Sequence, residues 1–196
     1  GLGAGGVRRI ARQPGDRAVL AAQVPLARLG LALISAPLMA LVAAPATQEP
    51  AVRGLVWLFA FSLLAAPWRQ DWLLQATERM SEAMLAQLLR VIIFGLFVLL
   101  LVRDPTDILA VGWAEIAAVS MMSLYCVALQ QAKIAPFRLR APVAGFAGLA
   151  REGAVVGFGN ALWAANQYAP LLLVSSLAGG METAWFAAAN RMVASV

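Results

Sequence analysis

Apolar positions in this chain come in long uninterrupted runs, and short stretches between them hold most of the charge. A helix needs about 20 mostly apolar residues to cross a hydrocarbon core about 30 Å thick, because each residue rises about 1.5 Å. The pattern predicts six spans, at 18–45, 53–70, 83–102, 108–129, 153–178 and 182–196, the last one cut short. The first contains Arg28 and Pro37. The second is short and runs into "APWRQDWLLQATERM", Ala66 to Met80, where Arg69, Asp71, Glu78 and Arg79 stand beside Trp68 and Trp72. This stretch is expected to turn between two spans, with both tryptophans in the headgroup layer. The fifth span is the clearest, with no charge between Gly153 and Met181.

Composition agrees. Of 196 residues, 62% are hydrophobic and 13% charged, against about 45–50% and about 25% in soluble domains. The expected fold is therefore all-α, a polytopic membrane helix bundle. A lone cysteine, Cys126, and the lack of histidine exclude an internal disulfide, Cys/His metal sites and histidine-based catalysis within these residues. No cofactor and no metal is expected.

The net charge of +5 changes the picture only through its distribution. Arg8, Arg9, Arg12 and Arg17 precede the first span. Arg69 and Arg79 lie between the second and third, and Lys133, Arg138, Arg140 and Arg151 between the fourth and fifth. The alternate connections hold only Arg53, only Arg103, and no cation in "AGGME". This alternation follows the positive-inside rule and places the richer connections in the cytoplasm. It removes the reason to invoke nucleic acid as a partner. The loop 133–151, with two prolines and four cations, is the expected boundary between two bundles.

Several motifs have plain packing explanations. "GLGAGG" has glycine spacing of the dinucleotide-binding kind but lacks the strand that such a loop follows, so close helix packing or a turn is expected. In "RDPTDIL", Thr106 or Asp107 is expected to cap the fourth span. "GAVVG", Gly153 to Gly157, lets another helix approach closely. Chemistry is expected from charge inside the membrane. Arg28, Arg90, Glu115 and Arg191 fall within apolar runs, where such a group costs roughly 2.5–3.5 kcal/mol at a helix centre and usually faces a cavity or a partner. Snorkelling, or pairing with a carboxylate such as Glu115, is the structural alternative for each arginine. On the fifth span Asn160, Trp163, Gln167 and Pro170 share one face, which suits either a cavity for hydroxyl-rich ligands or hydrogen bonds between helices.

Four stretches carry a family resemblance. "PWRQDWLLQATERM" resembles the turn after the fourth span of polysaccharide-exporting flippases of the Wzx type, within the superfamily that includes multidrug (MATE) exporters. "LLRVIIFGLFVLLLVRDPTDI" resembles their fifth span, and "PLLLVSSLAGGMETAWFAAANRMV" their seventh-to-eighth-span passage, with Ala184 and Phe186 where glycine and tyrosine are usual. "GVRRIAR" resembles the basic segment after their second span. The resemblance implies a two-lobed transporter of 12–14 spans, of which this chain is a piece lacking two spans before Gly1 and several after Val196. Residues 1–132 would belong to the N-terminal lobe, 133–151 to a cytoplasmic interlobe loop, and 152–196 to the start of the C-terminal lobe.

The implied function is translocation of a polyprenyl-diphosphate-linked oligosaccharide across the bacterial inner membrane, with no enzymatic activity. Implied partners are that lipid-linked oligosaccharide, membrane lipids and the polysaccharide polymerase machinery. Arg28 and Arg90 would hold the diphosphate, because a guanidinium fork matches phosphate oxygens and keeps its charge when desolvated. Asn160 and Gln167 would contact sugar, and Arg69 and Asp71 would form a gate or interlobe contact. The alternatives are a drug or metabolite exporter of the same superfamily and a membrane glycosyltransferase or polymerase on the same lipid carrier.

Overall fold

A computed structural model describes residues 2–43, 49–104, 107–136, 146–177 and 180–194. Among these the chain is helix and turn, with no strand. The helices are α1 (Leu2–Arg12), α2 (Arg17–Ala43), α3 (Pro50–Ser62), α4 (Asp71–Ala76), α5 (Met80–Leu101), α6 (Ile108–Lys133), α7 (Phe146–Leu177) and α8 (Gly180–Ala194). Four segments among the described residues are long and apolar enough to cross a membrane: Arg17–Ala43, Pro50–Ala76, Met80–Leu101 and Ile108–Lys133. They coincide with the first four expected spans. The expected fifth and sixth overlap α7 and α8. The expected loop is shorter than 133–151, because α7 already begins at Phe146.

Small residues set the helix contacts. Ala36 and Ala40 of α2 are buried against Ala60 of α3. Gly112 of α6 leaves room for Leu58, whose Cδ1 would lie 2.7 Å from an added Cβ. Ala83 and Ala86 of α5 meet Met122 and Cys126 of α6. Lipid is as apolar as leucine, so such helices associate through close approach of their backbones. Large apolar side chains such as Leu41, Leu99 and Leu124 point outward, as a bilayer requires.

The stretch between α3 and α5 is more than a turn. Helix α3 ends at Ser62, whose hydroxyl donates back to the Phe59 carbonyl at 2.8 Å. Tight turns follow, with a 3-10 turn at Ala66–Trp68 that carries Pro67. Helix α4 then closes with Arg79 N–H donating to Leu74 O (2.8 Å) and Glu78 N–H to Gln75 O (3.1 Å). That pair of bonds is the Schellman pattern, and Glu78 holds the left-handed position usually given to glycine. The partly wet ring expected of a headgroup-layer Trp72 is not found: the residue is buried, only 4% exposed, in a cluster with Ile10, Leu20, Val24 and Leu73. Asp107 stands at the N-cap position of α6, as expected, but without a side-chain cap bond. Its carboxylate accepts from the backbone of Arg103 and Asp104, not from α6, because the chain folds back there. Thr106 lies outside the described residues.

"GLGAGG" forms the start of α1, and its glycines are packing seats. A Cβ on Gly6 would lie 2.5 Å from the Trp72 ring, and one on Gly3 2.5 Å from Arg28 Nη2. Helix α1 also carries α7. A Cβ on Gly153 would lie 2.5 Å from the Leu2 side chain, whereas Gly157 faces open space. So "GAVVG" admits a neighbour at its first glycine only.

Candidate functional site

Helix α2 enters the site at Arg28. The buried segment Leu20–Pro25 anchors it against α1 and α4, and the glycine at position 3 leaves space for the guanidinium. Arg28 Nη1 donates to the backbone carbonyl of Arg69 at 2.9 Å. Among the described residues this is its one hydrogen bond, so no carboxylate neutralises it directly. The carbonyl is fixed in turn, because Gln70 is fully buried and its Nε2 donates to Ala21 O at 3.3 Å.

Two cavities meet at Arg28. One, of about 380 Å³, is lined by Arg28, Ser35, Arg69 and Asp71 with apolar residues of α2 and the Leu63–Pro67 turns. The other, of about 580 Å³, lies between α2 and α7 and is bordered by Leu2, Leu31, Ala150, Gly153 and Gly157. Arg28 and Leu31 form the ridge between them. In the first cavity Arg69 Nη2 stands 3.9 Å from Asp71 Oδ2, and the same oxygen accepts from Gln87 Nε2 at 3.2 Å. Two guanidiniums and one carboxylate leave this cavity cationic.

The structure sorts the residues singled out in the sequence. Arg28, Arg69 and Asp71 come together. The Arg69 carbonyl accepts from Arg28 of α2 and the Asp71 carboxylate accepts from Gln87 of α5. Arg90 goes elsewhere: it pairs with Glu115 across the α5–α6 interface and lines neither cavity. Asn160 and Gln167 line neither cavity, but they continue the face of α7 that does. Positions 150, 153, 157, 160 and 167 recur at three- and four-residue steps on one stripe. Asn160 and Gln167 lie about 5 Å and about 15 Å along the axis beyond Gly157. The Arg191 side chain and residues 137–145 lie outside what the structure describes. Gln87 and Ser35 were not singled out in the sequence. A lone amide in the apolar run of α5 was the available signal for Gln87.

No group of three or more metal-ligating side chains occurs among the described residues. These features define a polytopic membrane protein with a cationic cavity between its helices. A family profile described as polysaccharide biosynthesis protein matches residues 1–195, and the chain belongs to that family. It is the family of the Wzx-type flippases, which the motifs of the chain resemble. No curated protein and no solved structure matches the chain.

Proposed function

We propose that this protein moves a polyprenyl-diphosphate-linked oligosaccharide from the cytoplasmic to the periplasmic leaflet of the bacterial inner membrane, for surface polysaccharide assembly. It does so by alternating access and makes or breaks no covalent bond. The observation that carries this reading is Arg28. It lies from Arg17 some 16 Å along a membrane helix, on the ridge between two cavities, and its guanidinium is held by a backbone carbonyl. A cation held by a carbonyl, in a cavity where two guanidiniums face one carboxylate, is a receptor for an anion, and a diphosphate is the anion such a lipid carries. The α7 stripe with Asn160 and Gln167 supplies amides to sugar hydroxyls above it. Membrane lipids and the polymerase machinery are its partners in this reading.

The test uses the full-length gene. Deletion is complemented with the wild type or with Arg28→Ala, and surface polysaccharide and lipid-linked intermediates are measured together. A charge-assisted hydrogen bond contributes about 1.5–3 kcal/mol, so Arg28→Ala lowers translocation at least about tenfold while intact oligosaccharide accumulates on the cytoplasmic leaflet. A truncated lipid-linked sugar would instead point to a glycosyltransferase. Normal polysaccharide and normal intermediates in a strain with no second flippase would leave drug or metabolite export.

A further inference from the structure

The Arg28 cavity contains its own competitor for an anion. Asp71 sits at the first turn of α4, and Gln87 of α5 fixes its carboxylate through a hydrogen bond to Oδ2. Arg69 faces that same oxygen at 3.9 Å, which is charge contact without a hydrogen bond. Arg69 Nε is buried with no partner among the described residues. The backbone carbonyl of Arg69 is occupied by Arg28. So Arg28 is fixed, Asp71 is fixed, and the Arg69 guanidinium facing Asp71 is held by electrostatics alone.

We propose that Asp71 is the resident counter-charge of this cavity, a positioning and specificity-determining residue for its anionic ligand. With the cavity empty, Asp71 keeps the Arg69 guanidinium in place and offsets one of the two positive charges. When a phosphate group arrives, Arg69 turns its fork to the phosphate oxygens, which it can grip in two parallel bonds. The Asp71 carboxylate stays behind with Gln87 and repels the bound anion. The anion is thereby selected for its ability to take Arg69 from a carboxylate, and its release is driven by the charge that remains. This reassigns the Arg69–Asp71 pair from a gate between lobes to a release device inside one group of helices. It rests on the reading of the cavity as an anion site.

The experiment uses full-length protein in nanodiscs of zwitterionic lipid, with inorganic diphosphate and a short-chain polyprenyl diphosphate as probes. Asp71→Asn keeps an oxygen for the Gln87 amide and removes only the charge. Affinity and dissociation rate are measured for wild type, Asp71→Asn, Asp71→Glu and Arg28→Ala, with translocation in proteoliposomes alongside. Asp71→Asn is expected to bind both probes at least about tenfold more tightly, to release them correspondingly more slowly and to translocate more slowly, while Asp71→Glu restores wild-type behaviour. A merely structural role would weaken binding and transport together. Should Asp71→Asn fail to fold, Asp71→Ser carries the same comparison. Unchanged or weaker binding in the folded charge-removing variant, with Arg28→Ala still reducing binding, overturns the counter-charge and leaves the anion site standing. If Arg28→Ala also binds both probes normally, the anion site itself is refuted and the counter-charge falls with it.

Discussion

Removing Glu115 alone should destabilise the protein far more than removing Glu115 and Arg90 together. From Met80, Arg90 lies about 15 Å along α5, and its guanidinium pairs with Glu115 on α6. The two side chains retain 30% and 15% exposure, and Arg90 Nε is buried without a partner among the described residues. Without Glu115 the arginine is an unpaired cation within the hydrophobic span. The insertion scale puts that at roughly 2.5–3.5 kcal/mol, and breaking buried pairs in proteins costs a similar 3–5 kcal/mol. The partial exposure of Arg90 favours the lower figure, so Glu115→Gln should cost about 2–3 kcal/mol. The double variant Arg90→Met/Glu115→Met removes both charges and fills the same volume, and should lie within about 1.5 kcal/mol of wild type. The assay is reversible denaturation of the full-length protein in mixed micelles, as a double-mutant cycle, with translocation measured for each variant. The pairing makes Arg90 a structural cation, so the double variant should also retain transport. A double variant that is stable yet has lost diphosphate binding would refute this reasoning and return Arg90 to the substrate site. Single and double variants of equal stability would refute the energetic part.

Two further outcomes follow from packing. Gly6→Leu places a side chain where the Trp72 ring already lies, 2.5 Å from the Cβ position. It should cost about 1–3 kcal/mol as overpacking, with a change in tryptophan emission, and Gly6→Leu/Trp72→Ala should recover part of the loss. Glu78 holds φ 61° at the end of α4, a conformation that costs a side-chain-bearing residue about 1–2 kcal/mol. Glu78→Gly should therefore stabilise the protein by about 1 kcal/mol once the greater freedom of unfolded glycine is subtracted; a lower melting temperature for this variant would show that the Glu78 side chain makes a compensating contact.

The long helices were legible because the bilayer imposes a length and an apolarity that any 20-residue window reveals, and α2, α5 and α6 overlap their expected spans closely. What surrounds Arg28 was legible only in fragments. The charge in "APWRQDW" was visible, and so was its discord with the apolar runs beside it. Its purpose was not, because the partner of Arg28 is a backbone carbonyl of Arg69, 41 residues away, and a carbonyl leaves no mark in side-chain composition. The burial of Trp72 is hidden in the sequence for a related reason. An amphipathic ring beside charges suits a membrane interface, but two buried glycines of α1, Gly3 and Gly6, form a recess that receives it. Glycine spacing alone marks close packing, and its partner emerges only when α1 folds onto α4. Arg90 shows the converse. Its pairing with Glu115 was foreseeable from two opposite charges in neighbouring apolar helices, and only geometry decides between that partner and a ligand. In α5 and α6 the charge is answered within the protein, across a single helix interface. In α2 the nearest answer is a carbonyl, with a carboxylate engaged by Gln87 and Arg69 beyond it. The two arginines share their chemistry, and this difference in what faces them favours Arg90 as a pin between helices and Arg28 as the anion receptor proposed above.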